Sequence, residues 1–124
     1  MRILVVDDEP MIIAGIRRIL SETGHEILEA QSPNDAIEVI RTERLDVAII
    51  DYDLKKGLTG IDVANHTARE TVPIYLSGLP SRIVRPRIEM KVRQFFAVLE
   101  KPIDKAKLLN ALDRIQAMKE PTSR

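Results

Sequence analysis

Short apolar runs rich in β-branched residues alternate five times with helix-period segments along this chain, and that rhythm leaves few folds open. Ile3–Val6 reads as a buried parallel strand, because a strand covered on both faces shows a continuous apolar run. Ile12, Ile13, Ile16, Ile19 and Leu20 then recur at helical spacing, with Pro10 near the start and Gly24 as the stop. Glu26–Ala30 is a second strand. Ser32 and Pro33 read as an N-cap and first helical position, opening a helix whose inner face is Ala36, Ile37, Val39 and Ile40. Val47–Ile50, the most apolar strand, belongs at the sheet centre. A loop holding Gly57 and Gly60 leads into a helix from Ile61 to Glu70, and Pro73–Leu76 is the fourth strand. Ser81–Arg93 carries a helix that Pro86 is expected to interrupt, since proline has no N–H and its ring crowds the preceding turn. Phe95–Leu99 is the fifth strand. Asp104 caps a last helix with Leu108, Leu112 and Ile115 on one face and Leu109 beside them.

Strands and helices alternating at this length predict an α/β fold: one doubly wound (βα)5 domain whose parallel sheet is joined by right-handed crossovers. The 124 residues suit a single domain, taken as 1–119 with a polar tail at 120–124 expected to fray. Aromatics make up 3% of the chain against 44% apolar residues, so the core must be aliphatic. The chain has no cysteine, which excludes disulfides, zinc–thiolate sites and thiol catalysis. Nineteen basic side chains balance nineteen acidic ones, giving no general attraction to nucleic acid or to an anionic membrane. The first apolar run is too short for a signal peptide, and none approaches the ~20 residues that span a bilayer. A cytoplasmic protein is expected.

In a sheet of this kind ligands bind beyond the carboxyl ends of the strands. Asp7, Asp8 and Glu9 follow the first strand, Asp51 and Asp53 the third, Ser77 and Gly78 the fourth, and Glu100, Lys101 and Pro102 the fifth. Each has an ordinary explanation alone: a solvated turn, a cap, a surface lysine. Together they do not. Carboxylates held ~4 Å apart repel by roughly 4 kcal/mol per pair at an effective dielectric near 20. Summed over three carboxylates, that rivals the ~5–15 kcal/mol stability of a domain. Lys101 supplies one compensating charge and a hard, oxygen-liganded divalent ion would supply the rest; Mg²⁺ suits because it accepts few protein ligands. A carboxylate so placed can accept a phosphoryl group whose oxygens a metal and a lysine neutralise, with Ser77 donating a hydrogen bond. His25, at the far end of the second strand, and His66, placed within a helix, are read as structural or solvated.

These segments resemble bacterial two-component response-regulator receiver domains, the CheY-like superfamily. Ile3-Leu4-Val5-Val6-Asp7-Asp8-Glu9-Pro10 resembles their opening, and Asp46-Val47-Ala48-Ile49-Ile50-Asp51 their phosphoacceptor strand. Pro73-Ile74-Tyr75-Leu76-Ser77-Gly78 is similar to their switch strand, and Leu99-Glu100-Lys101-Pro102 to their lysine turn. The likeness covers essentially the whole chain. It implies a flavodoxin-like sheet of order 2-1-3-4-5, one of the common orders of doubly wound sheets. It further implies that Asp51 accepts phosphate from a histidine kinase or phosphotransfer domain. Asp8, Asp51 and the backbone carbonyl of Asp53 would ligate Mg²⁺, Asp7 would act through a water, and Lys101 and Ser77 would contact the phosphoryl group. The domain would signal by protein–protein contacts and would not turn over a substrate.

Three departures stand out. Val98 occupies the position of the family's switching aromatic, with Phe96 two residues away. Lys55 replaces a proline after the acceptor, and Gly60 falls one residue late. The fourth helical segment holds Pro86 together with Arg82, Arg85, Arg87, Lys91 and Arg93. This basic stretch, Arg82–Arg93, is either a solvated face or a docking surface for an acidic downstream partner; the kinase would dock near Met11, Gly15 and Pro102. Output stays open between a diffusible regulator, a phosphorelay shuttle and a receiver cut from a longer regulator. Two rival readings are a Mg-dependent phosphatase using Asp51 as nucleophile, marked by phosphomonoester turnover, and a binding module that no longer uses phosphorylation.

Overall fold

A computed structural model describes residues 1–54, 59–92 and 94–120. Its elements run β1 (Arg2–Val6), α1 (Pro10–Leu20), β2 (Glu26–Ala30), α2 (Pro33–Thr42), β3 (Val47–Asp51), α3 (Gly60–Ala64), β4 (Val72–Ser77), α4 (Ser81–Glu89), β5 (Ala97–Glu100) and α5 (Lys105–Lys119). The five strands form one parallel sheet in the order β2-β1-β3-β4-β5. This is the flavodoxin-like order expected.

Side chains alternate across each strand, so one apolar run serves two cores. Ile3, Val5, Val47, Ile49, Ile74 and Leu76 face one layer, where Ile13, Ile16 and Leu20 of α1 and Leu108, Leu112 and Ile115 of α5 cover them. Leu4, Val6, Ala48, Ile50 and Tyr75 face the other, under α2, α3 and α4. β3 is buried along its whole length, while in the edge strand β2 Ala30 is buried, Ile27 and Leu28 are half-buried and the two glutamates are exposed. Ser32 caps α2 by accepting from the Asp35 N–H, and Asp104 caps α5 by accepting from the Lys107 N–H.

Four local expectations need correcting. α3 ends at Ala64 rather than Glu70, which leaves His66 in the turn beyond it. Beyond Ala64 no residue supplies an apolar face, and both the N–H and the hydroxyl of Thr67 bond the Ala64 carbonyl, closing the last turn. Pro86 does not interrupt α4, which runs through it. The proline removes one helical bond, but it is exposed, so water can satisfy the freed carbonyl. Val84 and Ile88, both fully buried, hold the turns on either side to the sheet. β5 starts at Ala97, two residues late, because Phe96 leaves the ladder to pack edge-on against Tyr75, with ring centroids 5.9 Å apart and planes at 74°. Gly60 opens α3 rather than sitting in the preceding loop. Lys55, Gly57, Arg93 and most of the polar tail lie outside the described residues.

Candidate functional site at the carboxyl rim

Three carboxylates meet where β1 and β3 end. Asp7, Asp8 and Asp51 each offer an oxygen, and the three oxygens lie within 4.8 Å of one another. Parallel pairing of Val6 with Ile50 brings the two strand ends level. Asp7 is fully buried and Asp51 is 5% exposed, so neither charge is screened by bulk water. β4 and β5 close the site from the other side. The Lys101 N–H donates to the Ser77 carbonyl at 2.7 Å, and the Lys101 ammonium reaches back to Asp7 Oδ2 at 3.1 Å and Asp51 Oδ1 at 3.5 Å. The contact with Asp7 Oδ2 is an ion pair rather than a well-formed hydrogen bond. The peptide between Lys101 and Pro102 is cis.

Backbone N–H groups orient the acids. Asp7 Oδ1 accepts from Glu9 N at 2.9 Å, and Asp51 Oδ1 accepts from Asp53 N at 3.2 Å. Ser77, 2% exposed, accepts from Leu79 N at 2.9 Å, which leaves its hydroxyl proton to donate. Asp53 lies at the edge of the cluster and bridges to Thr59.

Two buried carboxylates share one lysine here, and their protonation equilibria carry the mark. Burial, then the charge of Asp7, pushes the Asp51 carboxyl up to about 6 against the opposing pull of Lys101. Burial likewise raises Asp7, opposed by the Glu9 N–H and by Lys101. For Lys101 burial disfavours the ammonium, yet Asp7 and Asp51 outweigh it and raise its pKa. Carboxylate oxygens this close fit a small hard divalent ion.

The structure therefore brings Asp7, Asp8, Asp51 and Lys101 together, with Ser77 and Asp53 at the border. His25 stands apart at the opposite end of the sheet, its Nδ1 2.9 Å from the N-terminal amine. Met11, Gly15 and Pro102 share a shallow groove of about 180 Å³ with Ile12, Ile16 and Ile103. Within the basic stretch, Arg82, Arg85, Arg87 and Lys91 are exposed. The guanidinium of Arg85 lies 5.1 Å over the Phe96 ring, so this side chain is also part of the packing of α4.

The placements of Arg87 and Tyr75 are not foreshadowed by the sequence. Arg87 lines a cavity of about 350 Å³ with Tyr52, Asp53, Ser77, Gly78 and Leu79, which joins α4 to the rim. No spacing signals this, because it depends on how α4 lies over the sheet. Tyr75 is fully buried with no hydrogen-bond partner for its hydroxyl among the described residues.

Known proteins agree with this architecture. The sequence profile of the response regulator receiver domain matches residues 3–113. The chain is 27% identical to Protein PilH of Pseudomonas aeruginosa over 122 residues, covering 94% of this chain and 98% of that one. It is 33% identical to the response regulator UvrY of Escherichia coli over 94 residues, a match spanning 74% of this chain but 42% of UvrY. A receiver domain from Clostridium thermocellum superposes with a TM-score of 0.81 at 28% identity, covering 95% of both chains. With the fold, the acidic rim and these likenesses in agreement, the chain belongs to the response regulator receiver domain family.

Proposed function

We propose that Asp51 accepts a phosphoryl group from a histidine kinase or histidine phosphotransfer domain, with Mg²⁺ as cofactor. The observation that carries this reading is a nearly buried carboxylate that shares its site with Asp7 and Asp8 and lies 3.5 Å from the Lys101 ammonium. Asp8, Asp51 and the Asp53 carbonyl would hold the cation, with Asp7 acting through a water. When bound, the cation would neutralise oxygens of the incoming group.

This chain's own residues do the remaining work. Burial keeps bulk water off the Asp51 carboxylate, and the Asp53 N–H holds it in one orientation. Lys101 stands ready to pair with the new negative charge, and Ser77 has a proton to donate to it. The groove at Met11, Gly15 and Pro102 is an apolar seat beside the rim, suited to the phosphodonor protein. A downstream protein would read the exposed basic face of α4 within 82–93. The setting would be the cytoplasm, and the chain would act as a diffusible regulator, as a relay shuttle or as the receiver part of a longer regulator.

Incubation with Mg²⁺ and acetyl phosphate, read by intact mass, tests the reading. Wild type should gain one phosphoryl group and Asp51→Asn none. No gain by wild type overturns it, and steady hydrolysis of a phosphomonoester would point to a phosphatase instead.

A further inference from the structure

We propose that Arg87 of α4 is a second cationic ligand of the phosphoryl group on Asp51, tying α4 to the phosphorylated site. The inference rests on the phosphoacceptor reading above and adds a residue and a route of communication to it. Arg87 forms a wall of the cavity that also contains Ser77 and Asp53, and Asp53 donates its N–H to the Asp51 carboxylate. It also lines a neighbouring cavity with Tyr52, Met90 and Lys91, so it lies along the seam between the β3 end and α4. Arg87 is exposed and makes no ion pair with the described residues. Its charge is therefore uncommitted where negative charge is about to increase.

Charge balance sets the demand. An aspartyl phosphate carries about −2, like other phosphoryl groups. It would form beside Asp7 and Asp53, where Lys101 already divides its one charge between Asp7 and Asp51. A guanidinium offers a planar donor fork matched to phosphoryl oxygens. The cavity between Arg87 and Ser77 gives it room to swing inward.

The same movement supplies a coupling that β5 lacks. Val98 is partly buried and has neither ring nor hydrogen-bonding group with which to follow a shift of Ser77. Arg87 sits next to Ile88, which anchors α4 in the core. Drawing Arg87 to the phosphoryl group would hold the second turn of α4 against the rim.

Beryllofluoride with Mg²⁺ mimics the acyl phosphate without chemistry, and its titration into wild type, Arg87→Ala, Arg87→Lys and the surface charge control Arg114→Ala is the test. Hydrogen exchange of α4 amides, with and without the mimic, is measured alongside. Arg87→Ala should weaken binding roughly tenfold, the size of one lost charge-assisted hydrogen bond, and abolish the protection of α4. Arg87→Lys should recover part of the affinity and Arg114→Ala should match wild type. Equal affinity and equal α4 protection in wild type and Arg87→Ala overturn the role of Arg87. Failure of wild type to bind the mimic, or to gain phosphate from acetyl phosphate, defeats the phosphoacceptor reading itself.

Discussion

The two ends of the sheet both carry clustered charge, and they handle it in opposite ways. At the amino end Arg2 is matched on every side. Its side chain reaches Glu26 at 3.1 Å, Glu43 at 2.8 Å and the Arg44 carbonyl at 3.0 Å, while its N–H donates to Asp46 at 2.8 Å. Glu26 and Arg44 are open to water and the other groups are half-buried. At the carboxyl end Asp7, Asp8 and Asp51 converge with Lys101 as the cation beside them, and Asp7 and Asp51 are buried. The first arrangement is satisfied by the chain itself. The second holds two buried carboxylates together and raises the pKa of both, a cost that a fold retains where it serves a site.

If that contrast is right, the largest stability change should come from neutralising the rim. In the absence of divalent ions Asp51→Asn should stabilise the domain at neutral pH by on the order of 3 kcal/mol, from a shift of about two pKa units. The sign follows from proton linkage. With its carboxyl raised to about 6, folded wild type takes up a proton that the unfolded chain does not hold until near 3.8. Wild type thus gains stability as pH falls through that window, and the advantage of Asp51→Asn closes toward pH 4. Urea midpoints for both proteins at pH 7.5 and 4 read this out directly. A wild type as stable as Asp51→Asn at pH 7.5 would mean that burial and Asp7 do not penalise the ionised Asp51.

Next in size is a backbone contact behind the same carboxylate. A Cβ on Gly60 would stand 2.7 Å from the Asp51 carbonyl oxygen and 3.1 Å from both Ile50 Cγ2 and the Tyr52 Cα. Two of these are backbone atoms with no rotamer to yield. Gly60→Ala should cost about 1–3 kcal/mol, as overpacking does, and should displace the strand end that carries Asp51. A wild-type urea midpoint for Gly60→Ala would show that α3 can move away freely.

How far these features can be read from the sequence depends on their range. The strands of the sheet interior and the caps at Ser32 and Asp104 follow from local chemistry, so they are legible. The convergence of Asp7, Asp8, Asp51 and Lys101 is legible too, because a parallel sheet places every strand's carboxyl end on one rim. Pro86 misleads because the local rule against proline in a helix yields to the tertiary burial of Val84 and Ile88. β5 starts later than its composition suggests because Phe95 and Phe96 look strand-like, whereas Phe96 is claimed by Tyr75 and Arg85 from distant segments. The place of Arg87 at the rim is invisible for the same reason.

The amino end should respond more weakly, and with a different pH signature. Burial and the neighbouring N-terminal ammonium hold His25 below its usual pKa, and the charges of Asp113 and Asp46 oppose this without reversing it. The unfolded chain therefore binds this proton first as pH falls through about 6.5, and folded stability declines from there down to the folded-state pKa. The trend is opposite to that of Asp51, so it is best measured in the Asp51→Asn background. There His25→Gln should flatten the dependence of the urea midpoint between pH 7.5 and 5. An unchanged slope would assign the dependence elsewhere.

Arg2→Gln should give the smallest effect of all, although Arg2 pairs with two carboxylates, as Lys101 does at the rim. Glu26 is exposed and Glu43 half-buried, so water and salt reach both attractions, and holding long side chains in one geometry costs entropy. The N–H of residue 2 still bonds Asp46 in the variant, because that donor belongs to the backbone. The expected shift in urea midpoint is smaller than for Gly60→Ala and shrinks further as salt is raised. A loss larger than that of Gly60→Ala and insensitive to salt would reverse the comparison. The amino end would then be an electrostatic keystone of the fold, and paired surface charge could no longer be taken as cheap beside the buried carboxylates of the rim.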